Sequence, residues 1–108
     1  MIQDIRESDW KVFRSLHQVA LDRFCKRILD ESAAITGDNN RTHHERYLAL
    51  FELMKDRNED VARMFDELKR STAKLLLLML RKQDLLTDAE IGRFSRELQE
   101  WLRRAGGD

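Results

Sequence analysis

Through the middle of the chain, apolar positions advance in steps of four and three. Tyr47, Phe51, Met54, Val61, Phe65, Leu68, Thr72, Leu75 and Met79 keep that spacing, interrupted only around Asn58. Such a period lays side chains along one face of an α-helix and predicts a buried seam. A first helix is predicted over residues 8–36, with Ser8 as N-cap and Asp9 at the positive end of the helix dipole. Its main apolar face carries Trp10, Phe13, His17, Ala20, Leu21, Phe24, Ile28 and Ile35. A narrower stripe of Val12, Leu16 and Val19 lies to one side, so two surfaces of this helix want cover.

Polar punctuation places the ends. Thr36-Gly37-Asp38-Asn39-Asn40 closes the first helix, with Gly37 suited to the C′ position. Thr42-His43-His44-Glu45 is a capping box, in which the Thr hydroxyl and Glu carboxylate satisfy each other's backbone amides, and it opens a second helix over 43–57. As an N-cap, Asn58 starts a third helix over 59–83; as an interior residue, it makes helices two and three continuous. The polar run Asp56-Arg57-Asn58-Glu59-Asp60 favours the break. A second capping box, Thr87-Asp88-Ala89-Glu90, opens a fourth helix over 88–104, within which Ser95 offers another N-cap. Residues 105–108 read as a frayed tail. The expected architecture is all-α, one domain over 1–108, in a compact bundle of about four helices.

Composition narrows the function. Hydrophobic residues are 42% and charged residues 37% of 108, with 20 Lys and Arg against 20 Asp and Glu. A net charge of zero, without a basic or acidic tail, argues against gathering nucleic acid by a long-range field. The charged start from Asp4 to Lys11 has no apolar core of a signal peptide, and the longest apolar run, Leu75 to Leu80, is far short of a membrane span. With a single cysteine, Cys25, these features lead to the expectation of a cytoplasmic protein.

Candidate chemistry is sparse. His43 and His44 are neighbours that diverge by about 100° on a helix, so they do not share a metal, and Glu45 is held by the capping box. Glu52, Asp56 and Asp60 are the nearest approach to a magnesium-binding carboxylate set, but Lys55, Arg57 and Arg63 surround them. His17 sits on an apolar face without a ligating neighbour one turn away, which suits a core histidine. No nucleophile–base pair and no phosphate-cradling glycine loop is present, so no catalytic residue, metal or cofactor is assigned and an enzyme is not expected.

Two surface features remain. From Leu75 to Leu80 the third helix is apolar all round, so it is either central in the fold or covered by a partner. Leu77 and Leu78, flanked by Lys74 and Arg81, are expected to meet a partner, most simply a second copy, with full burial in the monomer as the alternative. Arg63, Arg70, Lys74 and Arg81 fall on one ridge at helical spacing and form a candidate anion-binding stripe, although no aromatic side chain interleaves them. Ser71 is a hydroxyl in the predicted middle of that helix, where a bond back to a carbonyl is expected.

Arg6-Glu7-Ser8-Asp9-Trp10, Phe24-Cys25, Phe65-Asp66, Arg70-Ser71-Thr72-Ala73 and Leu85 to Glu90 together resemble a small all-helical family of bacterial proteins across most of the chain. The resemblance implies a bacterial cytoplasmic protein and supplies no activity and no catalytic residues. The expected function is a non-enzymatic interaction module that self-associates or docks another protein through the third helix. A small nucleic-acid or nucleotide-phosphate binder acting through the basic stripe is the alternative.

Overall fold

Two long helices set the frame. In the computed structural model, which describes residues 5–107, α1 runs Glu7–Thr36 and α2 runs His43–Phe65. They are antiparallel: His17 Nε2 meets the Met64 carbonyl at 3.2 Å, Arg57 grips Glu31, and Arg46 reaches the Thr36 carbonyl. A single 3₁₀ turn, Arg70–Thr72, leads into α3 (Ala73–Lys82); α4 (Asp88–Ile91) and α5 (Arg96–Ala105) complete an all-α fold with no strand among the described residues.

Local signals act where their chemistry places them. Both capping boxes form, Thr42 with Glu45 and Thr87 with Glu90. Ser95 divides the expected fourth helix by capping α5, accepting from the Leu98 amide. The start of α1 differs: the cap is Arg6, without a side-chain bond, and Ser8 lies inside the first turn. Gly37 ends α1 at φ −90°, so it does not supply a left-handed residue; a Cβ there would stand 3.1 Å from the Ala33 carbonyl. The left-handed position belongs to Asp84 (φ 55°), where Leu85 N–H returns to the Leu80 carbonyl and Asp84 N–H to that of Arg81.

Asn58 does not break the chain. It lies exposed within α2, and the helix passes through it to Phe65. The turn comes at 66–69, where the chain folds α3 back onto α1 and α2. Ser71 and Thr72, expected in mid-helix, are exposed in the 3₁₀ turn, and it is Thr72 whose hydroxyl bonds back, to the Lys69 carbonyl.

The helices pack into an elongated shape. The chain measures 52 × 25 × 24 Å, with a radius of gyration of 16.9 Å. About 13 Å suits a compact domain near this length. The core sits at one end, where Phe13, Leu16, Ala20 and Phe24 of α1 meet Leu76, Leu77 and Leu80 of α3, Leu85, Phe94, and Leu98 and Leu102 of α5. Beyond it, the far parts of α1 and α2 continue as an arm two helices thick.

Candidate functional site

Across the arm, α1 and α2 meet along Ile28, Glu31 and Ile35 on one side and Leu50, Leu53 and Arg57 on the other, all half-buried. The Arg57 guanidinium holds Glu31 through two bonds of 3.0 Å and depresses the Glu31 carboxyl below its usual range. Arg46 closes the end of α1 by donating to the Thr36 carbonyl at 2.6 Å.

At about 100° per residue, Tyr47, Phe51, Met54 and Asn58 point to one flank of α2, about 110° round from its inner line. Cys25, Leu29, Ser32 and Thr36 lie about 100° round from the inner line of α1, in the same rotational sense. Because the helices are antiparallel, these two sets share one face of the arm. That face is apolar and open: Leu29 is 66% exposed, Tyr47 65%, Phe51 56% and Met54 40%. None of the eight residues is charged, in a chain whose charged fraction is 37%. At its far end the face deepens into an open hollow of about 280 Å³ lined by Thr36, His43, Arg46, Tyr47 and Leu50.

The opposite flank carries Arg23, Arg27, Asp30, Glu52, Asp56, Glu59 and Arg63. Here α3 to α5 attach. Arg23 binds both oxygens of Glu90, at 2.6 and 2.8 Å, and the Leu85 carbonyl at 2.9 Å; Arg27 donates to the carbonyls of Gln83 and Asp84. Arg23, helped by the Thr87 amide, brings the Glu90 carboxyl down to about 2. Along the core end the attachment is completed by Asp9, whose carboxylate accepts from the Ser95 amide at 2.7 Å and the Ser95 hydroxyl at 2.6 Å. Asp9 is buried, so this bond orients the N-terminus of α5 against the start of α1.

The residues first singled out lie elsewhere. Leu77, expected at an interface, is fully buried (0% exposed), and Leu78 is half-buried. The reason is topological: α3 packs against α1, α2 and α5 together, so an all-round apolar helix is the centre of the monomer. Leu75 is the exposed member of that run, not Leu77. The basic stripe is divided by the turn at 66–69. Arg63 pairs with Asp60 on α2, and Arg70 donates to the Ile5 carbonyl at 2.9 Å. Lys74 sits 5.1 Å over the Trp101 ring, and Arg81 lies by the Leu102 carbonyl and the shallow cleft at Gly106. Each side chain has its own local partner.

His17 is packed between Phe13 and Phe65 with ring centroids 5.5 and 5.0 Å away, and it bonds the Met64 carbonyl. Among the described residues, no group of three or more His, Cys, Asp or Glu side chains is placed to hold a metal ion, and no helix is long and apolar enough to cross a membrane. The cavity beside Asp9, Lys74 and Ser95 holds about 40 Å³, room for a water molecule or two.

The chain matches no protein-family model, and no curated protein or solved structure shows significant similarity to it. Leu29 lies outside the apolar faces expected for the first helix, and Tyr47, Phe51 and Met54 of the expected buried seam are exposed. Each stands beside a charged residue in sequence, and the charge-free flank emerges only once α1 is paired with α2.

Proposed function

We propose that this chain is a non-enzymatic helical interaction module that docks protein through the charge-free flank of its arm. One observation carries the reading: four large apolar side chains, Leu29, Tyr47, Phe51 and Met54, stand 40–66% exposed on a single face. Together they offer roughly 500 Å² of surface, within the size range of the largest functional patches on monomers. Isolated surface leucines are ordinary; a face with aromatic and aliphatic anchors and no charge has the composition of an interface core. The polar side chains at its border, Ser32, Thr36 and Asn58, suit a rim. Interaction through the arm replaces the Leu77/Leu78 surface, and the dispersed basic residues weaken the nucleic-acid reading. A bacterial, cytoplasmic setting belongs to the same proposal.

Site-specific photocrosslinking tests it. With benzoylphenylalanine at position 51, and separately at position 56 on the opposite flank, expression of the full chain in cells should give protein adducts from position 51 only. Equal adducts from both positions, or none from position 51, would overturn the docking reading.

A further inference from the structure

We propose that the occupant of this flank is a second copy of the same chain, seated face to face about a two-fold axis so that two arms form a four-helix layer. The inference rests on the docking reading above and names its partner. An isologous contact sets every residue of a patch against the same patch, so any charge on it would meet a like charge nearby. Between positions 25 and 36 of α1 and 47 and 58 of α2, this flank contains no Asp, Glu, Lys or Arg. Arg46 lines only the hollow at its far end, where its guanidinium is taken up by the Thr36 carbonyl and His43. The opposite flank mixes Arg23, Arg27 and Arg63 with Asp30, Glu52, Asp56 and Glu59, and Arg23 and Arg27 are already engaged by the segment from Gln83 to Glu90. Of the two faces of the arm, the neutral one is both open and free of like-charge repulsion against its own copy.

Area and shape agree. Covering roughly 500 Å² on each copy gives about 1,000 Å² in all, the lower bound for a specific interface. A dimer of that size, anchored by two aromatic residues per copy, is expected to dissociate in the micromolar range, roughly 1–100 µM. The geometry also supplies what the arm lacks. A two-helix layer has no third element for its outer apolar positions, and packing pair on pair is how four-helix bundles bury them. The core end does not obstruct this, because α3 to α5 attach through Arg23 and Arg27 on the other flank.

Sedimentation equilibrium of the full chain from about 1 to 300 µM decides the matter, a range that brackets the expected dissociation constant. The mass should rise from 12.9 kDa toward twice that value. Phe51→Glu and, on the partner helix, Leu29→Gln should each weaken association by about 30-fold or more, with circular dichroism unchanged. Asp56→Lys on the opposite flank should leave it alone. A monomer across the range, or a dimer indifferent to both variants, would overturn the second-copy inference. The photocrosslink at position 51 then separates the two readings: adducts to a different protein would keep the docking surface with another occupant, and none would remove both.

Discussion

The two ends of the α1–α2 pair are built from the same continuous helices but live in different surroundings. At the core end, Phe13, Leu16, Ala20 and Phe24 are buried because α3 to α5 lie against them. In the arm, Leu29, Tyr47, Phe51 and Met54 have helical spacing just as regular and stay open to water. Spacing therefore identifies a face that can be buried, while burial needs a third element to arrive. The difference also shows in charge. Arg27, Asp30, Glu52, Asp56 and Glu59 fit one flank of the arm for water, whereas the other flank carries no charged side chain. A surface free of charge in a chain so rich in it is what the docking proposal rests on.

The sharpest test of this comparison sets Leu77 against Phe51. Leu77→Ala should cost about 3 kcal/mol in urea denaturation, because it opens a cavity in a fully packed core. Leu77→Glu should abolish the cooperative transition. Phe51→Glu, measured at a concentration where the chain is monomeric, should change stability by no more than about 0.5 kcal/mol. A loss at Phe51 as large as that at Leu77 would mean that the arm face is core, and the contrast between the ends would collapse.

Next in size is Asp9, which holds α5 onto α1. Asp9→Ala leaves the Ser95 amide without its buried acceptor and should cost about 2 kcal/mol. The loss should appear in the global unfolding transition, since α5 is part of the core. An unchanged urea midpoint would show that the Asp9–Ser95 contact contributes no net stability.

The Arg23–Glu90 pair predicts a pH effect confined to the core end. The Glu90 carboxyl lies at about 2 in the folded chain against an ordinary 4.5. The folded state therefore prefers the ionised form. That stabilisation is complete above pH 4.5 and fades as the pH falls toward 2. Glu90→Gln should lower stability by about 1–2 kcal/mol at pH 7, and the gap to the native chain should narrow by pH 3. A gap independent of pH would show that Glu90 acts only as a cap.

The smallest effect belongs to the arm. Arg57→Ala breaks a partly exposed pair with Glu31 and should cost about 0.5 kcal/mol. Amide hydrogen exchange should show where: protection should fall across residues 28–35 and 50–57 and remain unchanged in α3 and α5. Uniform loss along the chain would mean that the arm and core unfold as one unit.

Several features were legible because their causes are local. Thr42 with Glu45, Thr87 with Glu90, and Ser95 before α5 all act within one helical turn, and all three caps form at the expected places. The division at 66–69 carried no comparable mark, since no proline or glycine stands there. Asn58, in contrast, looked like a boundary and is not one: an exposed asparagine costs a long, well-anchored helix only a few tenths of a kcal/mol in propensity, about what solvation returns. Leu77 shows the limit most clearly. An all-round apolar helix is equally consistent with a central position and with a partner, and the sequence contains no term that separates them.

By itself, then, the sequence determined that the protein is all-α, where α1 ends, and where α2, α4 and α5 begin. Tertiary structure alone decided that α3 is central, that the basic residues are dispersed to separate partners, and that one flank of the arm is left bare. The physical reason is range. Capping and periodicity act over three or four residues, whereas the cover of a helix face is set by contacts such as Arg23 with Glu90 and Asp9 with Ser95, separated by 67 and 86 positions.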